Sequence, residues 1–304
     1  MSTTKHSTKK RKTDHLITES VNPKTVNIDS CKTDKIVTLI HNEDKTIAGS
    51  VYREKKDIVS AVDLIYEKLS NGGSLFIVGA GTSGRLGVLE AAECPPTFGT
   101  SPGLVRAIIA GGSRAVWKSL EGAEDSVTDS KMQLIKAGLG KKDVLVGITA
   151  SGDTPFVISA LEFARGIEAS TILLAFNPVK NRAADIVISP VLGPEVIIGS
   201  TRMKAGTATK MVLNTITTAV MVKLGKTYKN LMVDVQPRSE KLRNRACRIV
   251  RELVNTSDKR AYSLLKASGW NVKLAVVMGV KNISPSDARL LLEKNNGFLK
   301  KTLE

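Results

Sequence analysis

The chain has 304 residues, a formal net charge of +16 at neutral pH, and only 4% aromatic residues. Its apolar runs all fall short of the roughly 18 residues that a membrane-spanning helix needs, and its length suits one large α/β domain with a smaller second unit. All three histidines precede residue 42, which excludes a Ser-His-Asp triad or a histidine-bound metal from the main body, so acid–base chemistry there must use carboxylates or lysines.

The first 18 residues carry the basic run "KHSTKKRKTDH" and are predicted to be a disordered arm. No apolar leader follows it, and Cys31, Cys94 and Cys247 are too widely spaced for a metal site. These features predict a cytoplasmic protein without a metal or a membrane anchor. The positive charge suits anionic ligands, but without a helix-turn-helix or RNA-binding signature nucleic acid is not the expected partner.

Helices and apolar strands alternate through the first two thirds of the chain. After an irregular lead-in, "DIVSAVDLIYEKLSNGG" predicts a helix that ends at Gly72 and Gly73. Strands are predicted in "SLFIVGAG", "GLVRAIIAGG", "KDVLVGITASG", "STILLAFNP" and "ADIVISPVLG", and helices between them in "SRAVWKSLEGAEDS", "DSKMQLIKAGL" and "TPFVISALEFARGIE". This alternation predicts a parallel sheet with helices on both faces.

Beyond Glu195 the chain is mostly helical. One long helix is predicted from "STRMKAG" onward, with an interruption near Gly225. Residues 19–240 are then predicted to form the main domain and 241–304 a small helical bundle. In that bundle Ser284 or Ser286 could cap the last helix.

Two glycine- and hydroxyl-rich loops follow the first and third strands. They read "GAGTSG" and "TASGDTP", and each opens a helix whose free N–H groups favour an anion. In a sheet ordered 2-1-3-4-5 these strands are neighbours at the switch point, so the loops would converge on one phosphate. The candidate residues are Gly81, Thr82, Ser83, Gly84 and Arg85 in the first loop and Ser151, Gly152 and Thr154 in the second.

The loops do not fit the usual nucleotide sites. The second strand ends in "IIAGGSRA" without the acidic residue of a dinucleotide site, and no Gly-Lys-Ser/Thr sequence marks a P-loop. Hydroxyl-rich loops therefore favour a sugar phosphate.

Two further groups of residues admit two interpretations. In "GSTRMKAG", Ser200 or Thr201 could cap the long helix beside solvated bases, or Ser200, Thr201, Arg202 and Lys204 could contact a phosphate or carboxylate of the ligand. Arg85 could help in the same way or pair with Glu90 on its own helix.

Four segments together resemble the N-acetylmuramic acid 6-phosphate etherases, which are bacterial lyases of the sugar isomerase (SIS) superfamily. They are "GAGTSGRLGVLEAAECPPTFG", "EGAEDS", "TASGDTPFV" and "GPEVIIGSTRMKAGTATKMVLN". The resemblance runs from about Leu16 to the C-terminus. The glucokinase regulatory proteins share the "GTSGR" loop, but the single SIS-like unit and the short chain fit the etherases better. The resemblance implies an SIS-type three-layer sandwich with a five-stranded parallel sheet and a ubiquitin-associated-like C-terminal bundle.

The resemblance also implies a reaction without a cofactor. It is cleavage of the D-lactyl ether of N-acetylmuramic acid (MurNAc) 6-phosphate, giving N-acetylglucosamine (GlcNAc) 6-phosphate and D-lactate, in cell-wall sugar recycling or catabolism. Glu93 matches the family position assigned to proton transfer, and Glu124 matches the one assigned to activating water. Glu90 and Glu121, three residues before each, are the alternatives.

The distance along the helix constrains the role of Glu93. On one regular helix Glu93 would lie about 15 Å from Ser83, at 1.5 Å per residue. Either the helix stops at Pro95 and turns Glu93 back, or Glu93 serves the site of a second subunit. The resemblance implies the second arrangement, a homodimer with active sites at its interface.

Asp153 departs from the family, which usually carries Arg at this position. A carboxylate beside a phosphate is unfavourable unless its side chain points outward or caps the helix.

Two other function classes compete with the lyase. One is a non-catalytic sugar-phosphate-sensing regulator of the SIS superfamily, and the other is a nucleic-acid-associated sensor that uses the basic arm. Glu93 and Glu124 favour the lyase over both.

Overall fold

The computed structural model describes residues 16–179, 184–237 and 239–304. Of the arm predicted for residues 1–18, residues 1–15 lie outside this described part, while a short 3-10 helix covers Ile17–Glu19. The strands are β1 (Leu75–Gly79), β2 (Val105–Ile109), β3 (Val144–Thr149), β4 (Ser170–Ala175) and β5 (Ile186–Ile188). The helices are α1 (Thr33–Asp44), α2 (Ile47–Arg53), α3 (Lys55–Ser70), α4 (Gly81–Phe98), α5 (Arg114–Trp117), α6 (Val127–Ala137), α7 (Pro155–Gly166), α8 (Lys204–Lys223), α9 (Glu240–Val254), α10 (Asp258–Ala267), α11 (Val272–Lys281), α12 (Pro285–Lys294) and α13 (Leu299–Leu303).

The five strands form one parallel sheet in the order β2-β1-β3-β4-β5. This confirms the predicted order and the three-layer sandwich. Alternate side chains of β1 enter different cores, because successive residues of a strand point to opposite faces. Leu75 and Ile77 join the core formed with α2, α3, α4 and α8, whereas Phe76 and Val78 join the core formed with α6 and α7.

Helix α4 does not stop at the double proline, so this prediction was wrong. The helix includes Pro95 and Pro96 and ends at Phe98, where Gly99 adopts a left-handed conformation and donates its N–H to the Pro95 carbonyl at 3.0 Å. Cys94 and Phe98, one turn apart, are both buried in the main core. This packing holds the last turn although each proline lacks the N–H of a regular helix.

The segment after β2 is mostly not helical, contrary to the prediction for "SRAVWKSLEGAEDS". Helix α5 has only four residues, and a 3-10 turn at Ala123–Asp125 follows it. Gly122 between them is left-handed, at φ 73°, which breaks a continuous helix. Helix α1, which lies in the predicted irregular lead-in, was also missed, and so was α2, which lies between that lead-in and the first predicted helix.

The C-terminal helices have a core of their own. Helix α8 ends just before Gly225, as predicted, and α9 to α13 surround a separate apolar cluster. That cluster begins with Val233 and Val235, so the boundary at residue 240 stays a prediction. Ser284 caps α12 by accepting the Asp287 N–H, which confirms one of the two proposed caps. Within the described ranges, no helix is both long enough and apolar enough to cross a membrane.

Candidate active site

A cleft of about 410 Å³ opens at the carboxyl ends of β1 and β3. Its position is the switch point of the sheet, where strand order reverses. The predicted site residues that line it come from four separate segments: Gly81, Thr82, Ser83, Glu124, Ser151, Thr154 and Thr201. The structure therefore brings both hydroxyl-rich loops together at one cleft.

The second loop is organised by the Thr149 hydroxyl at the end of β3. That hydroxyl is 2.7 Å from the Thr154 hydroxyl and 3.2 Å from that of Ser151, and it accepts the Gly152 N–H. Pro155 at the first position of α7 suits a helix start, because its missing N–H would have no partner there. The loop thus holds three hydroxyls at the mouth of a helix N-terminus.

The charge of the cleft is unusual for an anion site. Among the described residues that line it there is no lysine or arginine, but there are four carboxylates: Glu19, Glu124, Asp125 and Asp153. Among the described residues that line the cleft, the groups able to bind an anion are hydroxyls and backbone N–H groups. Asp153 is exposed and lines the cleft, and Thr154 rather than Asp153 stands at the N-cap of α7. The unfavourable carboxylate is thus not explained by capping.

Sequence reasoning missed the contribution of Thr18 and Glu19, which form one rim of the cleft. Thr18 is buried because Asn177 binds it twice: the Asn177 Oδ1 accepts its N–H at 3.3 Å, and the Asn177 amide donates to its hydroxyl at 3.0 Å. The same amide donates to the Ala150 carbonyl at 2.8 Å. The polar sequence "TES" at residues 18–20 precedes the first predicted helix, and no local pattern in it indicates a contact with Asn177.

A second cavity of about 310 Å³ adjoins the cleft and shares Ala80, Gly81 and Glu124 with it. Arg85 lines this second cavity and not the first. Its Nε donates to the Val116 carbonyl at 3.0 Å, so the predicted pairing with Glu90 was wrong. Lys118 and Glu121 also line the second cavity.

The two predicted catalytic carboxylates lie far apart on one subunit. Glu124 lies where both cavities meet. Glu93 is exposed and lines neither cavity, about 15 Å along α4 from Ser83 at the usual rise per residue. Because α4 continues as one helix to Phe98, Glu93 does not turn back toward the cleft of its own subunit.

Glu90, the alternative to Glu93, serves the core. It is 6% exposed, accepts from the Asn214 amide at 2.5 Å, and also accepts from the Thr217 hydroxyl. Nearby, burial raises the pKa of the Cys94 thiol to about 12, with further contributions from the negative charges of Glu90 and Glu93. Cys94 is therefore a protonated core residue.

The segment before α8 divides between the cleft and the core. Thr201 lines the cleft, whereas Ser200 is half-buried and Arg202 exposed outside it. Neither Ser200 nor Thr201 caps the helix, contrary to the first interpretation. The cap comes from Glu195, whose carboxylate accepts the N–H groups of Lys204 and Ala205, both at 3.0 Å.

Lys204 does not reach the cleft, so its predicted contact with the ligand is replaced by a structural role. Its side chain is 1% exposed, and its ammonium lies 2.7 Å from Glu43 and 2.8 Å from the Leu192 carbonyl. Burial alone would raise the pKa of Glu43, but hydrogen bonds from Lys204 and Lys24 outweigh it and lower that pKa. Burial raises the pKa of Glu195 despite its two backbone hydrogen bonds.

Two of the predicted glycines shape the loops from behind. A Cβ on Gly84 would lie 2.6 Å from the Gly79 carbonyl and 2.5 Å from Ile109, so Gly84 allows α4 to approach the sheet. Gly152 is buried at φ 85°, a left-handed conformation that favours glycine. Neither glycine lines the cleft.

Comparison with known proteins identifies the family. The chain is 49% identical over 291 residues to an N-acetylmuramic acid 6-phosphate etherase of Clostridium acetobutylicum, covering 95% of this chain and 96% of that protein. It is 50% identical to an etherase of the same name from Clostridium botulinum, covering 94% and 95%, respectively. The chain belongs to the N-acetylmuramic acid 6-phosphate etherase family.

A family model and a third relative agree with this family. Residues 57–165 match the model of the glucokinase regulatory protein N-terminal SIS domain. An etherase from Caldanaerobacter subterraneus is 46% identical, covering 96% of each chain. Among solved structures, a phosphoheptose isomerase from Neisseria gonorrhoeae is similar with a TM-score of 0.48 and 16% identity, covering 62% of this chain and 98% of that one.

Proposed function

We propose that this protein cleaves the D-lactyl ether of MurNAc 6-phosphate, releasing D-lactate and GlcNAc 6-phosphate. The observation that carries the proposal is the 49–50% identity to proteins named for this reaction, over almost their whole length. The cleft supports it, because it is polar and lies at the switch point where α/β sheets bind ligands. The enzyme is thus a carbon–oxygen lyase.

The chemistry needs elimination followed by addition, with acid–base proton transfers in each stage, rather than direct displacement of an unactivated ether. In the ring-opened sugar the C2 proton is acidic, because it lies next to the C1 aldehyde. A base removes this proton, the electron pair forms the C2–C3 double bond, and the C3–O bond breaks while an acid protonates the leaving oxygen, which releases D-lactate. Water then adds at C3 and a proton returns to C2, which completes GlcNAc 6-phosphate. Positioned carboxylates are suited to each of these transfers.

The hydroxyl-rich loops bind the phosphate in this proposal. Ser83 and Thr82 present hydroxyls at the start of α4, while Ser151 and Thr154 do so before α7. Two helix N-termini directed at one anion supply unpaired N–H groups and favourable dipoles. Thr201 adds a fifth hydroxyl residue to the lining of the cleft.

Glu124 and Glu93 divide the proton transfers. Glu124 reaches the cleft from the 3-10 turn after Gly122, and there it activates the water that adds to C3. Glu93 transfers the proton during elimination. Since Glu93 is exposed at the far end of α4, we assign it to the cleft of a second subunit in a homodimer.

The surface around Glu93 supports this arrangement. Leu89, one turn earlier on the same helix, is 45% exposed, and Ala92 and Pro96 are exposed beside it. An apolar helix face with a single carboxylate suits burial against a second copy of the chain. The enzyme would act in the cytoplasm, on phosphorylated sugars in cell-wall recycling or catabolism.

Release of D-lactate from MurNAc 6-phosphate tests the proposal. We expect the wild-type protein to release D-lactate and the Glu93→Gln variant to release none while keeping its circular dichroism spectrum. Glu67→Gln, an exposed glutamate on α3 outside both cavities, is the matched control and should keep wild-type turnover. If the wild-type protein binds the sugar phosphate without turnover, the regulator is the correct function; near-normal turnover in Glu93→Gln would remove Glu93 from the mechanism.

A further inference from the structure

We infer that the second cavity is the subsite for the lactyl carboxylate, with Arg85 and Lys118 as its anion-binding side chains. The inference rests on the proposed function and assigns the substrate's two anionic groups to different cavities. From the sequence, Arg85 was a candidate for binding either anionic group of the ligand, and Lys118 had no predicted role.

The first observation is the way in which the start of α4 separates the cavities. Thr82 and Ser83 line the first cleft and not the second, whereas Arg85 lines the second and not the first. The phosphate-binding hydroxyls and the guanidinium therefore face different volumes. Arg85 is thus positioned for an anion other than the phosphate.

The second observation is the state of the Arg85 guanidinium. It is half-buried and its Nε is held by the Val116 carbonyl, but its two terminal nitrogens make no hydrogen bond or ion pair with any described residue. A partly desolvated guanidinium without a counterion favours an anionic ligand. Its two terminal nitrogens can donate a pair of parallel hydrogen bonds to one carboxylate.

The third observation is the position of Glu124 between the cavities. The substrate carries its phosphate at C6 and its lactyl ether at C3, so the two anionic groups extend from opposite sides of the sugar. With the phosphate on the two loops, the lactyl group extends past Glu124 into the second cavity. The C3–O bond that breaks then lies beside the carboxylate shared by both cavities.

Lys118 is a second cationic side chain that lines this cavity. It follows α5 in an extended conformation and lines the second cavity together with Arg85. Its exposed ammonium makes no ion pair with a described residue. The two cations offset the negative charge of Glu121 and Glu124 in the same cavity and allow a carboxylate to enter it.

The inference predicts a selective loss. Arg85→Gln and Lys118→Met should each lower kcat/KM for MurNAc 6-phosphate by about tenfold or more, since a hydrogen bond to a charged group is lost. Inhibition by GlcNAc 6-phosphate, which lacks the lactyl group, should change by less than about twofold in both variants. The matched control is Arg114→Gln, since Arg114 is exposed on α5 outside both cavities, and it should change neither value.

Two results would overturn the subsite. The first is an equal weakening of MurNAc 6-phosphate turnover and of GlcNAc 6-phosphate inhibition, which would mean that these cations bind the phosphate or stabilise the fold. The second is an unchanged kcat/KM in both variants. Lys118→Met keeps the test decisive if Arg85→Gln does not fold. If the wild-type protein releases no D-lactate, the proposed function has failed. The same variants are then compared by calorimetric binding of the two sugar phosphates, and loss of selectivity for MurNAc 6-phosphate would still support the subsite.

Discussion

At the residue scale, the ammonium of Lys204 is enclosed between the Glu43 carboxylate and the Leu192 carbonyl, and it connects α8 to α1. Charges this deeply buried are tolerated when each has a partner, but removing one partner leaves the other uncompensated. Arg202, only two residues earlier, is exposed. The two cations of one motif therefore serve different purposes.

This difference predicts opposite outcomes for two similar substitutions. Lys204→Met should lower the free energy of unfolding by about 3–5 kcal/mol, because Glu43 loses its buried partner. Arg202→Met should change it by no more than about 0.5 kcal/mol. Urea unfolding followed by circular dichroism measures both. Equal effects would contradict the structural role of Lys204.

Asp153 offers a second prediction at this scale. It adds a carboxylate to a cleft whose lining residues include no lysine or arginine. Asp153→Arg should tighten the binding of GlcNAc 6-phosphate about tenfold or more, through a charge-assisted bond to the phosphate. Asp153→Asn removes the charge alone and should give a smaller gain. Calorimetry that finds the same affinity in all three proteins would show that the side chain points away from the phosphate.

At the scale of elements, the close contact between α4 and the sheet depends on Gly84. Gly84→Ala should destabilise the protein by about 1–3 kcal/mol, because the new Cβ would meet the Gly79 backbone, which cannot move freely. Gly49→Ala on α2 is the matched control, since no atom lies within 4 Å of its added Cβ. It should stabilise the protein by up to about 1 kcal/mol. Thermal unfolding of both variants distinguishes them, and a stable Gly84→Ala protein would contradict the packing role.

The elements that could be predicted are those determined by local pattern. Short apolar runs marked all five strands, and their alternation with helices predicted a parallel sheet. The order 2-1-3-4-5, on which the convergence of the two loops depended, is the order in the structure. The length of α4 could not be predicted, because Cys94 and Phe98 hold the helix past two prolines through tertiary packing. The Glu195 cap on α8 likewise depends on a loop contact that no local pattern specifies.

At the scale of the whole molecule, the site is incomplete on one subunit if Glu93 transfers a proton. The two loops and Glu124 could be placed together from the sequence, since neighbouring parallel strands end at the same edge. The rim formed by Thr18 and Glu19 could not, because it depends on Asn177, which is 159 residues away in the sequence. The second cavity could not be predicted either, because it is lined by the irregular segment after β2, for which the sequence pattern predicted a helix.

A homodimer with shared sites predicts complementation between two inactive variants. Glu93→Gln and Glu124→Gln, refolded together, should recover about one quarter of wild-type activity, because random pairing makes half the dimers mixed and each mixed dimer has one intact site. D-lactate release by the mixture measures this, with each variant refolded alone as the control. No recovery from a dimeric mixture, or full activity in a wild-type monomer, would contradict catalysis across subunits.

The route of the oxygen atom tests the central claim most directly. MurNAc 6-phosphate is incubated with the protein in oxygen-18 water, and both products are analysed by mass spectrometry. Elimination followed by addition predicts one labelled oxygen in GlcNAc 6-phosphate and none in D-lactate, because the C3–O bond breaks and water adds at C3. Label in D-lactate, or the absence of any D-lactate, would contradict the account.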